Sequence, residues 1–200
     1  MRTLETQMKY TLIGSLTSPF VRRIRMLMET IPYELTELNI YETDDGIKLN
    51  KVNPINQIPV LVMGNEKIWD SRQIFYYLNN KYQFQTMSLE DENTLTAIEG
   101  ALNAGIALFQ FKRSGISIDE PYMIVNRHKE RIDSVLDYLT PYVQTEGMKN
   151  WNFQSMTLYA FLDWGQFRGI LNLDKRPVYQ QFMAQHADRE IVKQTSIPKV

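Results

Sequence analysis

Residues 11–25 read TLIGSLTSPFVRRIR, and the meaning of this stretch sets the meaning of everything on either side of it. Tyr10, Leu12 and Ile13 are the β-prone, apolar residues of a strand buried on both faces. The run from Gly14 to Ser18 breaks that pattern, and Pro19 stands where a first helical residue belongs. Proline is tolerated there because that position has no intrahelical N–H bond to lose. Ser18 is placed to cap the helix. Val21, Ile24, Leu27 and Met28 recur at helical spacing, while Arg22, Arg23 and Arg25 fall mostly off the apolar stripe. A hydroxyl-rich loop therefore ends on a helix N-terminus, where an anion or a thiolate is stabilised.

Working outward, the helical pattern stops at Ile31-Pro32, and residues 33–40 (YELTELNI) alternate like an edge strand. Residues 41–52 are polar, with Asp44-Asp45-Gly46 as a turn and room for at most a short, loose helix. Residues 53–63 (NPINQIPVLVM) contain two X-Pro steps and run into a strongly apolar strand over 58–63. Gly64-Asn65 is a hairpin signal, and 66–69 is the return strand. Asp70-Ser71 caps a helix with Ile74, Tyr77, Leu78 and Tyr82 on its apolar face. The order βαβ, a linking segment, then ββα predicts a parallel pair with a crossover followed by an antiparallel hairpin. No convincing strand follows. Helices are predicted over 90–113, 119–143 (with Ile124, Val125, Ile132, Val135, Leu136 and Leu139 inward), 152–171 and 177–187, with a tail from Lys193. The 152–171 segment is apolar around its whole circumference, as in a helix at the middle of a bundle. The expected organisation is a leader at 1–7, an α/β domain at 8–83, a linker at 84–88 and an all-helical domain at 89–200.

Composition narrows the chemistry. The 200 residues are 44% hydrophobic and 22% charged with a formal net charge of −1, so nothing electrostatic points to nucleic acid or an anionic membrane. No apolar run approaches the roughly 20 residues that span a bilayer, and residues 1–7 have no apolar core of a secretory signal. A cytoplasmic location is expected. The chain has no cysteine, which excludes disulfides, cysteine-bound zinc and a thiol nucleophile of its own. His128 and His186 are the only histidines, neither with a partner at metal-ligand spacing, so no metal is expected. A Ser-His-Asp hydrolase lacks its GxSxG elbow here.

Three segments together resemble the glutathione transferase family: Ser18-Pro19-Phe20 opening the first helix, Asn53-Pro54-Ile55-Asn56-Gln57-Ile58-Pro59-Val60-Leu61, and Trp69-Asp70-Ser71-Arg72 before the third helix. Their order and spacing, followed by a helical second half, are most similar to the small bacterial transferases with an SPFVR-type loop. The resemblance implies a thioredoxin-like N-terminal domain (βαβ-α-ββα) followed by an all-helical domain, a homodimer, and glutathione as co-substrate without a metal. It implies a cis Ile58-Pro59 peptide, with Ile58 offering its backbone to the cysteinyl part of glutathione as an added strand would. Asp70 and Ser71 would hold the γ-glutamyl carboxylate at the helix start, and Gln57 would reach the glycine end.

The resemblance further implies that a loop hydroxyl lowers the pKa of the glutathione thiol, and Ser18, Thr17 and Ser15 are all candidates. Tyr10 begins its strand instead of following it, which argues against a tyrosine in this role. The electrophile is expected between the domains, against Leu16, Phe109 and Arg113. Glu99 or Asn103 would meet the glutamyl amine. The family's Ser/Thr-x-x-Asp box before the central helix is replaced by Asn152-Phe153-Gln154-Ser155, where Ser155 is not expected to reach back as an acid would. The implied function is transfer of glutathione to a small hydrophobic electrophile, or glutathione-dependent reduction of a peroxide. The alternative is a non-catalytic binding or protein-interaction module on the same fold.

Overall fold

The computed structural model describes residues 9–198; the expected leader at 1–7 lies outside them. The chain divides into two compact units. One holds the described residues through Gln83 and takes in those from Thr195 on; the other is Phe84–Gln194.

The first unit is a four-stranded mixed sheet in the order β2-β1-β3-β4. β1 (Tyr10–Gly14) pairs in parallel with β2 (Tyr33–Glu37) after the crossover helix α1 (Pro19–Leu27). α2 (Thr43–Asn50) then leads to the antiparallel hairpin of β3 (Val60–Met63) and β4 (Glu66–Trp69), and α3 (Ser71–Tyr82) closes the unit against α1. This is the thioredoxin-like order. Alternation along β1 and β3 sends successive cross-strand pairs to opposite faces. Ile13 and Val60 join Leu38 and Leu49 in a small core on one side, and the pair Leu12 and Leu61, each 0% exposed, faces the other. Gly14 is required where β1 meets α1, because a Cβ there would lie 2.3 Å from Val21 Cγ2.

The second unit is helical throughout the described residues. α4 (Leu89–Arg113) lies along α5 (Met123–Val143), and α6 (Glu146–Lys149) leads to α7 (Phe153–Phe167), which packs on α4. α8 (Pro177–Ala187) covers α5 and α7, and α9 (Glu190–Gln194) ends the unit. α7 is buried continuously from Phe153 to Leu162, as its all-round apolar sequence demands. Gly105 allows α4 to approach α7, since a Cβ would lie 3.2 Å from the Trp164 ring. No helix among the described residues is long and apolar enough to cross a membrane.

Four local expectations are corrected. Asp44-Asp45-Gly46 is not a turn but lies inside α2; Asp45 accepts the Asn39 N–H at 2.9 Å and pairs with Lys48 at 2.7 Å, which ties the helix to the loop before it. α5 starts at Met123 and not at Asp119, because Pro121 intervenes, and Ile124 is consequently 46% exposed. α7 stops at Phe167, where Gly169 takes φ 64° and the N–H groups of Ile170 and Leu171 turn back to the Gly165 carbonyl. Ser155 does reach back. Its Oγ accepts the Asn152 N–H at 2.9 Å while Asn152 Oδ1 accepts the Ser155 N–H at 2.9 Å, a complete reciprocal cap. The short hydroxyl is held in reach by its own proton, with the Asn150 carbonyl within bonding distance of Oγ at 2.8 Å.

Candidate active site

The register of the sheet decides where the site is. Ile13 of β1 stands opposite Val60 of β3, and Val60 stands opposite Trp69 of β4. Ser15–Ser18 after β1, Ile58-Pro59 before β3 and Asp70-Ser71 after β4 all lie just beyond this one row. The N-termini of α1 and α3 begin at the same end, bringing two positive helix ends to the loops.

The first loop is hydroxyl-rich and partly ordered by itself. Ser18 caps α1, its Oγ accepting the Val21 N–H at 3.3 Å, and its own N–H donates to the Ser15 carbonyl at 3.1 Å. The Ser15 and Thr17 hydroxyls bond each other at 3.1 Å. Leu16 is half-buried between them. Tyr10 belongs to the opposite end of β1, where its hydroxyl receives Lys81 at 2.9 Å and lies 3.1 Å from the Tyr82 hydroxyl.

The second loop is held from below by Asn53. This residue is 0% exposed; its Nδ2 donates to the Gln57 carbonyl at 2.6 Å and its Oδ1 accepts the Ile55 N–H at 3.1 Å. Asn56 takes φ 55° to complete the turn, and Gln57 is exposed. The Ile58-Pro59 peptide is cis. The ladder begins at Val60, so Ile58 sits outside it.

At the third segment the capping duty and the serine are separated. Asp70, exposed and at φ 69°, accepts the N–H groups of Arg72 (2.7 Å) and Gln73 (3.3 Å) on Oδ1 alone. Its Oδ2 makes no hydrogen bond among the described residues. Ser71 is the first helical residue, where a backbone N–H has no intrahelical partner. The Ser71 Oγ accepts a 2.5 Å bond from Arg23 Nη2.

Arg23 and its neighbour Arg22 are 1% and 2% exposed, whereas the sequence pattern sets them off the apolar stripe. The reason is that α1 is covered nearly all round, so a stripe analysis misplaces them. Asn53 was likewise legible only as a motif letter. The signal available for Arg23 was the pair of adjacent arginines on a short helix that must be covered on both sides.

Residues 12–86 match the model of the glutathione S-transferase N-terminal domain. The first unit is a glutathione S-transferase N-terminal domain. Over 143 residues the chain is 29% identical to the uncharacterized GST-like protein YibF of Escherichia coli strain K12, spanning 66% of this chain and 69% of that relative. Among solved structures, a glutathione S-transferase of Methylobacterium radiotolerans in complex with glutathione sulfonate superposes with a TM-score of 0.81 at 15% identity, covering 96% of each chain. One from Methylobacillus flagellatus with glutathione bound gives 0.82 at 17% identity over 94% of this chain and 100% of that one. A family member from Pseudomonas fluorescens Pf-5 with bound glutathione gives 0.79 at 18% identity, over 95% and 100%. These likenesses extend the glutathione transferase fold through the helical unit.

The remaining predicted residues belong to that second unit. Phe109 is 8% exposed and is packed edge-on against Trp164 (5.7 Å between centroids), with the Arg168 guanidinium 4.7 Å from its ring. Arg113 is the exposed last residue of α4, Glu99 is half-buried on the same helix and Asn103 is exposed. Among the described residues no group of His, Asp and Glu is placed to hold a metal.

Proposed function

We propose that the protein is a glutathione transferase that binds reduced glutathione on its first unit and presents the thiolate to a small electrophile. The observation that supports this most is the shared row Ile13–Val60–Trp69, which sets a hydroxyl loop, a cis-proline loop and a helix start at one end of the sheet. The γ-glutamyl end is a zwitterion. Its carboxylate suits the Ser71 N–H and hydroxyl, and its ammonium suits the open Oδ2 of Asp70. The cysteinyl part pairs with the backbone of Ile58 as an added strand, and Gln57 reaches the glycine end. Leu16 supplies an apolar side chain on the hydroxyl loop for the electrophile.

Of the three loop hydroxyls, Ser18 is our choice as donor to the sulfur. Its oxygen is fixed as an acceptor by the Val21 N–H, which leaves its own proton to donate, whereas Ser15 and Thr17 engage each other. With no cysteine in the chain, the only thiol is the ligand's, and a hydroxyl donor at a helix N-terminus brings its pKa below the ~8.5 of a free thiol. The same thiolate can attack a peroxide oxygen.

Calorimetric titration of reduced glutathione into wild type, Ser71→Ala and Ser18→Ala, with the thiolate absorbance followed against pH, tests this. Wild type is expected to bind. Ser71→Ala should weaken binding about tenfold, and Ser18→Ala should raise the bound thiol pKa toward that of free thiol. Binding with an unshifted thiol pKa in wild type would leave a glutathione carrier instead of an enzyme. No binding at millimolar glutathione rejects both.

A further inference from the structure

Arg23 sits five residues into α1 from its Ser18 cap and reaches across to α3, which packs on α1. Its guanidinium lies 5.4 Å from the Phe20 ring centroid and donates through Nη2 to Ser71 Oγ. Both bonded residues are 1% exposed, so the contact is shielded from water and strengthened by the low local dielectric. A serine hydroxyl has one proton and two lone pairs. With one lone pair held from inside by a cationic donor, the O–H and the second lone pair are left on the side away from the guanidinium. Ser71 is then a hydrogen-bond donor with a buried positive charge behind it. Asp70 makes this possible by taking over the cap, since a capping serine would face its oxygen into the helix instead.

We propose that Arg23 is the positioning residue for the glutamyl end of the site, holding the Ser71 oxygen from inside so that its O–H is offered to a carboxylate at this helix start. The inference rests on the transferase reading and adds to it a residue, on the other helix, that never touches the ligand. Because α1 also carries Ser18, one helix both presents the sulfur-side hydroxyl and orients the carboxylate-side one.

The test is a double-mutant cycle in glutathione affinity on the full chain: wild type, Arg23→Met, Ser71→Ala and the double variant, each checked for native circular dichroism. Each single change is expected to weaken binding about tenfold, and the double variant no further than either single. Arg23→Lys, which keeps a charged donor, should recover most of the loss, KM for glutathione should rise while kcat holds, and the bound thiol pKa should stay at its wild-type value. Unchanged affinity in a folded Arg23→Met overturns the proposal and leaves the transferase reading standing. Additive losses overturn it as well, and so does a raised thiol pKa, which would put Arg23 to work at the sulfur. Absence of binding in wild type is the separate outcome that removes both readings. Should Arg23→Met fail to fold, Arg23→Lys carries the cycle: its smaller loss must vanish in the Ser71→Ala background, and a loss of equal size in both backgrounds overturns the proposal.

Discussion

The two units bury polar side chains to different ends. In the first, Arg23 and Asn53 are buried beside the segments that lie beyond the sheet's end and hold groups of those segments: Arg23 the Ser71 hydroxyl, Asn53 the Gln57 carbonyl and the Ile55 N–H. In the second, Ser155, Thr157 and Gln154 are buried around the start of α7 and satisfy that helix itself. Ser155 completes the cap, Thr157 donates to the Phe153 carbonyl at 2.6 Å, and Gln154 accepts from Gln85 at 2.8 Å. Burial of a polar group is costly either way and must be answered by hydrogen bonds. On the glutathione-binding reading proposed above, the Ser71 hydroxyl keeps a bond to offer a ligand, whereas Ser155, Thr157 and Gln154 spend theirs inside their own unit.

The largest expected effect comes from breaking a hold of the first kind. Asn53→Leu removes the partners of the Gln57 carbonyl and the Ile55 N–H in one step. Unfolding by urea should show a loss of about 2 kcal/mol, and glutathione affinity should fall with it, because Ile58 is one residue from the released carbonyl. Retained affinity in a destabilised protein would show that the loop is braced elsewhere.

A closed brace should behave otherwise. Ser155→Ala takes away the acceptor of the Asn152 N–H while the Asn152 side chain still caps the helix, and Gln85 still accepts the Phe153 N–H at 2.8 Å. The expected cost is about 1 kcal/mol in the same unfolding measurement, with no change in glutathione affinity. A change in affinity would mean that the two kinds of burial are not separable by unit.

The contrast also explains what was legible beforehand. Strands and helices follow from period and turn residues, which are local signals, and the cis Ile58-Pro59 step was expected from the family resemblance that the stretch at 53–61 carries. The inward turn of Arg23 is not local, and the cap at Ser155, though local, depends on contacts of its hydroxyl that the residue type alone does not give. Whether an arginine on a short helix turns inward depends on how completely its neighbours, α3 among them, cover α1, and serine closes the cap here with its hydroxyl held at the Asn150 carbonyl. The division of labour at Asp70-Ser71 was half visible: both residues are good caps, and only the backbone shows that Asp70 takes the role and leaves Ser71 to Arg23.

The smallest expected effect separates the units by pH. Both histidines, His128 and His186, are in the second unit. His186 is 1% exposed between Trp151 and Phe182, with ring centroids 4.9 Å from each, and its Nδ1 accepts from Arg189 Nε at 3.3 Å. Burial, together with the Arg189 charge, holds its pKa below 6.5. Burial and the charges of Arg131 and Arg127 do the same to His128. Each ring is therefore harder to protonate folded than unfolded. Their contribution to stability is present above about pH 6.5 and is lost as pH falls through the lowered folded values. The Asp45 carboxylate, held below 3.8 by Lys48, does not titrate in that window. Hydrogen exchange at pH 7.5, 6.5 and 5.5, corrected for intrinsic rates, should thus show amides of 84–194 losing protection on acidification while those of 10–83 keep theirs. His186→Phe, which preserves a ring among rings and cannot charge, should flatten most of the slope. Equal loss in both units would show that they unfold as one body under acid, and a slope that survives His186→Phe would assign it to His128.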